Sequence, residues 1–291
     1  MEESKVERSE AVEGRRSKEH YCDSRYLDSI LAWDPSTIDL LDLRPSTFDL
    51  RPSTFELLPF MPKLILFDID GTILLTAGAG RRAIVAALRD EVADVAAFEG
   101  IRFDGKTDPQ IVVELLEAAG DPEPRESARV EAVCRRYVGL LARELERPEN
   151  RTTVMPGVRL LLQQLEARPG VVLGLLTGNV AEGAALKLRS GGLDPARFLV
   201  GAYGSDAAYR PELPPIAARR AAPYFGRVPK GSEVVIIGDT PADIGCGGAI
   251  SARALAVATG AYTVAELEAC EPHAVFQDLS DTACVLDAIF S

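Results

Sequence analysis

Three short phrases hold the residues best suited to chemistry. Asp68-Ile69-Asp70-Gly71-Thr72 closes an apolar run that begins at Leu64. Carboxylates at i and i+2 project from the same side of an extended backbone, so both can reach one reacting group. The glycine that follows lets the chain turn away. Two such acids at the end of a hydrophobic strand repel unless a cation or a shared proton offsets the repulsion. Gly238-Asp239-Thr240-Pro241-Ala242-Asp243 follows a second run, Val234–Ile237, with Pro241 placed to open a helix. Leu175-Leu176-Thr177-Gly178-Asn179 ends a third run in a hydroxyl and a glycine turn. Singly, these phrases also fit a solvated strand-end turn, or a helix N-cap at Asp239 or Thr240. Jointly, acid clusters from two strands make an oxygen-rich site for a hard cation such as Mg²⁺.

Few other residues compete for that work. The two histidines, His20 and His273, lie near no serine or cysteine motif, so carboxylates carry any proton transfer. Five scattered cysteines, Cys22, Cys134, Cys246, Cys270 and Cys284, form no CxxC pair or Cys/His cluster and read as reduced, mostly buried small residues. A formal net charge of −12 repels a polyphosphate backbone, and no basic stripe counters it, so nucleic acid is not an expected partner. No apolar run approaches the roughly 18 residues of a membrane span, and the amino terminus carries no apolar signal region. The expectation is a cytoplasmic protein with no membrane partner. Its 291 residues, 47% hydrophobic, suffice for one large domain or two modest ones.

The elements that must position these phrases alternate along the chain. Strand-like runs stand at Leu64–Ile69, Val171–Leu176, Val234–Ile237 and Ala254–Ala258, with weaker ones at Phe198–Gly201 and His273–Phe276. Helical stretches lie between them at Val158–Ala167, Ala181–Arg189, Pro214–Ala222 and Pro241–Ile250. This pattern predicts right-handed βαβ units and an α/β, doubly wound parallel sheet, whose carboxyl edge binds ligands. Residues 78–150 break the alternation, with helical periodicity at Arg82–Val92, Pro109–Ala119 and Glu126–Leu145 and no convincing strand. They read as a small helical bundle inserted after the first strand.

In order and spacing, Asp68–Thr72, Thr177 and Gly238–Asp243 resemble the DxDGT, Ser/Thr and GDxxxD motifs of the haloacid dehalogenase (HAD) superfamily of hydrolases. The resemblance covers about residues 62–290, and the helical insert is similar to that family's C1 cap. It implies a Rossmannoid core (61–77 and 152–291), a helical cap (78–151) and Mg²⁺-dependent hydrolysis of a phosphate monoester through an aspartyl-phosphate intermediate. Asp68 is then the nucleophile and Asp70 the general acid/base. Asp68, the Asp70 main-chain carbonyl and Asp239 hold the ion with Asp243 in support, and Thr177 bonds a phosphoryl oxygen. Retention of Asp70 favours a phosphatase over a dehalogenase. Thr72, Gly178 and Asn179 are further substrate-contacting candidates. Where the family places a lysine, this chain has Arg210-Pro-Glu-Leu-Pro-Pro, so Arg210 is the expected cation and Lys230 its rival. The segment Arg102–Asp108 resembles the specificity loop of phosphoglycolate-phosphatase-like members, with Lys106 facing a substrate carboxylate or hydroxyl or, alternatively, lying in a plain surface turn. The expected partner is a small phosphorylated metabolite such as phosphoglycolate, handled by a monomer or homodimer. A phosphosugar mutase of the same fold and a non-catalytic phospholigand-binding protein are the rival readings.

Two glycine patterns and one terminal segment complete the sequence. Gly78-Ala-Gly80-Arg-Arg-Ala83 fits a dinucleotide fingerprint but starts too far after the strand, and reads as a linker and helix start. Gly245-Cys-Gly-Gly248 falls inside a helical stretch and reads as a close-packing device. Residues 1–60 repeat a short Pro-Ser-Thr phrase from Asp34, Arg44 and Arg51, incompatible with a continuous helix or central strand. They are expected to be a disordered or loosely attached extension, with a compact domain beginning at Met61.

Overall fold

The computed structural model describes residues 62–92 and 94–291. The expectations placed on residues 1–60 and on Met61 lie outside the described residues. Six parallel strands form the central sheet: β1 (Lys63–Phe67), then β4 (Val171–Thr177), β5 (Val200–Tyr203), β6 (Val234–Gly238), β7 (Arg253–Val257) and β8 (Ala274–Phe276). Their order across the sheet is β5-β4-β1-β6-β7-β8. The chain works outward from β1 to one edge and then returns to build the other, so the order reverses beside β1, where open α/β sheets bind ligands.

Both faces of this sheet are covered, which is why its strands are almost continuously apolar. In β1 the side chains alternate: Ile65 and Phe67 join one core, Leu64 and Leu66 the other. The first core is closed by α4 (Val158–Glu166), α5 (Ala181–Ser190) and α9 (Thr282–Phe290). The second is closed by α6 (Leu213–Phe225) and α7 (Pro241–Cys246). A short α8 (Val264–Glu268) leads into β8.

The stretch between β1 and α4 is helical as expected, with α1 (Ala79–Leu88), α2 (Asp108–Ala118) and α3 (Ser127–Glu146) packed on a third apolar cluster around Ile84, Leu115 and Tyr137. Sequence periodicity did not show that the stretch is bracketed by an antiparallel two-stranded ribbon, β2 (Leu74–Leu75) with β3 (Thr153–Val154). Strands of two residues are too short for a period-2 pattern. One helix is also shorter than expected: after Cys246 the chain continues as a 3₁₀ turn over Gly247–Ile250. A side chain at Gly247 would meet Ile236 Cδ1 at 2.9 Å, so that glycine serves close packing, whereas Gly245 and Gly248 face open space and the packing reading fails for them. Gly78, at φ +80°, caps the start of α1, matching the linker reading of that phrase. Among the described residues no helix is long and apolar enough to cross a membrane.

Candidate active site

The exits of β1, β4 and β6 converge. Asp68 leaves β1 with its amide donating to Ile237 O at 2.9 Å, and Gly71 at φ +84° turns the chain back towards Leu74. A Cβ at Gly71 would stand 2.3 Å from Asp239 Oδ2, so only glycine lets the β1 and β6 exits come this close. On the β6 side Thr240 caps α7, bonding the Asp243 amide, while Asp243 accepts from the Thr240 amide at 3.0 Å and hydroxyl at 2.6 Å. The capping role thus falls to Thr240 and Asp243, and Asp239 is left facing Asp68.

Carboxylate oxygens of Asp68, Asp239 and Asp243 lie within 4.8 Å of one another, all three residues buried. Burial raises the Asp68 carboxyl to about 6, with Asp243 and Asp70 adding to the rise and Arg210 opposing it. Burial first, then Asp243 and Asp68, holds Asp239 well above the usual carboxylate range. Arg210 Nη2 stands 3.1 Å from Asp68 Oδ1 and also pairs with Asp243. Burial alone would lower the guanidinium, yet Asp243 and Asp68 keep it above its ordinary value. Lys230 stands at the other end of β6, before the 3₁₀ turn that feeds the strand. Three buried carboxylates against one guanidinium form an all-oxygen, electron-rich set that fits a hard divalent cation such as Mg²⁺. Thr72 donates to Asp239 Oδ1 at 2.9 Å and is fully buried, so it braces an acid and does not line the cavity.

Thr177 and Asn179 connect β4 to this group. Asn179 Nδ2 donates to Thr177 Oγ1 and to Asp70 Oδ2, both at 2.8 Å. Gly178 O accepts from the Asp108 amide at 2.7 Å, and a Cβ on Gly178 would lie 2.0 Å from Lys106 O. The segment Arg102–Asp108 therefore rests directly on the β4 exit. Lys106 lines the cavity, but its ammonium pairs with Glu114 on α2, so it is the main chain around it that faces the core.

Three contributors, Lys187, Thr259 and Gly260, had no motif to announce them, and a fourth, Asp108, stood in the Arg102–Asp108 phrase with no role given to it. Lys187, on α5, donates to Asp70 at 2.8 and 2.6 Å. Asp108 accepts from the Val180 amide at 2.9 Å, and burial raises its carboxyl to about 6 against the pull of Lys187. Thr259 and Gly260 follow β7: the Thr259 hydroxyl donates to Gly71 O, and a Cβ on Gly260 would overlap Asp239. The one available sequence signal was a lysine at 187 between the apolar positions Ala184 and Leu188 of a helical stripe. A cavity of about 310 Å³ joins Asp68, Asp70, Thr177, Asn179, Lys187, Arg210 and Asp239 to Gly105, Lys106 and Tyr137 of the helical segment. A larger groove of about 810 Å³ between α2, α3 and residues 204–209 contains none of the carboxylates of the cluster.

Residues 62–250 match the family described as haloacid dehalogenase-like hydrolase. The probable phosphatase IndB of Dickeya dadantii (strain 3937) is 29% identical over 231 residues, spanning 79% of this chain and 95% of that protein. A hydrolase from Pseudomonas syringae superposes with a TM-score of 0.59 at 22% identity, covering 78% of this chain and 98% of the other. The β-phosphoglucomutase of Clostridium difficile superposes with a TM-score of 0.58 at 14% identity, covering 79% and 97%. At such identities the two solved structures speak to the fold alone.

Proposed function

Because the chain belongs to the haloacid dehalogenase-like hydrolases, we propose that it is a Mg²⁺-dependent phosphatase of a small organic phosphate monoester, with Asp68 as nucleophile. The observation that carries this reading is the convergence of buried Asp68, Asp239 and Asp243 at the switch point of the sheet, with Arg210 against Asp68. Mg²⁺ bound by Asp68, Asp239 and the Asp70 main-chain carbonyl, with Asp243 in support, supplies positive charge to the phosphoryl oxygens.

The chain's own residues do the rest. Asp68 attacks phosphorus, splitting hydrolysis into two easier steps. Asp70 gives a proton to the departing alkoxide, then takes one from the water that cleaves the aspartyl phosphate. Arg210, beside Asp68 at the cavity, offers its guanidinium to a phosphoryl oxygen, and Thr177 offers its hydroxyl. The segment 78–151 acts as a cap over this chemistry, and the cavity of about 310 Å³ suits a small metabolite. Lys106, on which phosphoglycolate rested as the leading candidate, is engaged by Glu114, so phosphoglycolate enters the test as one ester among several.

The test is a panel of some tens of phosphate esters incubated with Mg²⁺, read for free phosphate and for isomerised ester. Phosphate release from at least one small ester is the expected result. Isomerised sugar phosphate without net phosphate would replace this reading by a mutase, and no conversion of any ester would replace it by a binding protein.

A further inference from the structure

Lys187 is out of place by every ordinary criterion. It is 4% exposed, on a helix face otherwise made of Gly183, Ala184 and Leu188. Lysine is almost never buried so fully unless paired, because taking an ammonium from water costs several kcal/mol. Its partner is the carboxylate of Asp70, gripped at both oxygens, 2.8 and 2.6 Å away, and that carboxylate is still 40% exposed towards the cavity. A pair half open to water returns little stability, so the arrangement is not explained as a structural clamp.

The surroundings are built for the lysine. A Cβ at Gly80 would come within 3.3 Å of Lys187 Nζ, so α1 makes room for the ammonium by carrying glycine there. The fully buried Tyr137 of α3 closes the same space, and the buried Asp108 lies close enough for its charge to be felt. Asn179 holds the remaining side of Asp70 at 2.8 Å.

We infer that Lys187 is a positioning residue: it fixes the Asp70 carboxylate, together with Asn179, in the orientation from which Asp70 reaches the ester oxygen. The inference rests on the assignment of Asp70 as general acid/base. Lys187 itself moves no proton. In the first half-reaction the Asp68 oxygen bonds to phosphorus, the ester P–O bond breaks, and the Asp70 proton goes to the leaving oxygen. In the second, water bonds to phosphorus, the Asp68–phosphorus bond breaks, and the water proton returns to Asp70.

The test compares kcat/KM, which covers the step that expels the leaving group, for p-nitrophenyl phosphate and for an alkyl ester such as glycerol phosphate. An aryloxide leaves without help, whereas an alkoxide needs its proton. For Lys187→Met, which keeps the stem and removes the charge, the alkyl ester should lose about a hundredfold and the aryl ester less than about fivefold. Lys187→Arg should regain part of the alkyl rate, and Asp70→Asn should show the same selectivity as Lys187→Met. Equal losses on both esters, or none, in Lys187→Met while Asp70→Asn stays selective would overturn the role of Lys187 alone. An unselective Asp70→Asn would remove the acid/base assignment and this inference with it. If circular dichroism shows Lys187→Met unfolded, Lys187→Gln is measured against the same criteria.

Discussion

Asp68, Asp239 and Asp243 are buried against one another, and only an unusual balance of charge keeps them there. Arg210 pairs with two of them, while Asp239 has the Thr72 hydroxyl. A divalent ion bound to the folded state relieves the repulsion and, at a concentration of about one hundred times Kd, adds about 2.7 kcal/mol. Mg²⁺ should therefore raise Tm by about 5 to 10 °C in a calorimetric scan. Asp239→Asn should lose most of that shift while melting no lower than wild type without metal, because one of the repelling charges is gone. An unchanged Mg²⁺ response would remove Asp239 from the metal set. Asp108 gives a second, metal-independent test. Its carboxyl is raised to about 6 by burial, so between the unfolded value of 3.8 and about 6 the folded state binds more protons than the unfolded one. The stability linked to this group is present below that window and is lost as pH rises through it, by about 3 kcal/mol over two units. Asp108→Asn keeps an acceptor for the Val180 amide and removes the titration. Its Tm relative to wild type should climb from pH 4 to pH 6.5, and a constant difference would contradict the assignment.

Among the elements, the contact of the Arg102–Asp108 segment with the β4 exit is a tight backbone joint beside the cavity. Gly178 O accepts from the Asp108 amide at 2.7 Å, and the Thr107 hydroxyl bonds Ala208 O at 2.6 Å. Gly178→Ala would drive a methyl into Lys106 O, a main-chain atom that no side-chain rotation can move aside. Overpacking of this kind costs about 1–3 kcal/mol, and it should lower both Tm and kcat/KM, whereas alanine at the open Gly139 of α3 should leave kcat/KM unchanged. The same joint marks where sequence reading ended. Apolar runs announced all six sheet strands, because burial on two faces leaves little ambiguity in composition, and periodicity announced the helices from α1 to α7 but not α9, Thr282–Phe290. The two-residue ribbon at the base of the insert had no such signal, and the glycines after Cys246 turned the end of a helical stretch into a 3₁₀ turn. The direction of Lys106 was equally hidden: only the packing of α2 sets Glu114 beside it.

At the scale of the whole molecule, the sheet order decides which distant residues meet. The acids of Asp68–Thr72 and Gly238–Asp243 were legible because each group stands at the end of an apolar run, and parallel strands deliver their ends to one edge. Thr259 and Gly260 reach the site from the end of β7 with no chemistry in their side chains beyond a hydroxyl, so spacing could not have singled them out. Lys187 and Asp108 depend on how the helical segment settles on the core, which periodicity does not encode. The chain carries a formal net charge of −12, yet Arg210 and Lys187 line one cavity, and under the proposed function Arg210 is the cation that meets an anionic ester there. The reading as a whole turns on a covalent bond between phosphorus and one buried carboxylate. The measurement that tests it is acid quenching during turnover of the best ester from the panel, followed by peptide mapping by mass spectrometry. A phosphoryl group on the peptide containing Asp68, absent in Asp68→Asn, is the predicted result. Phosphate release that continues in Asp68→Asn, or an adduct on any other residue, would contradict it.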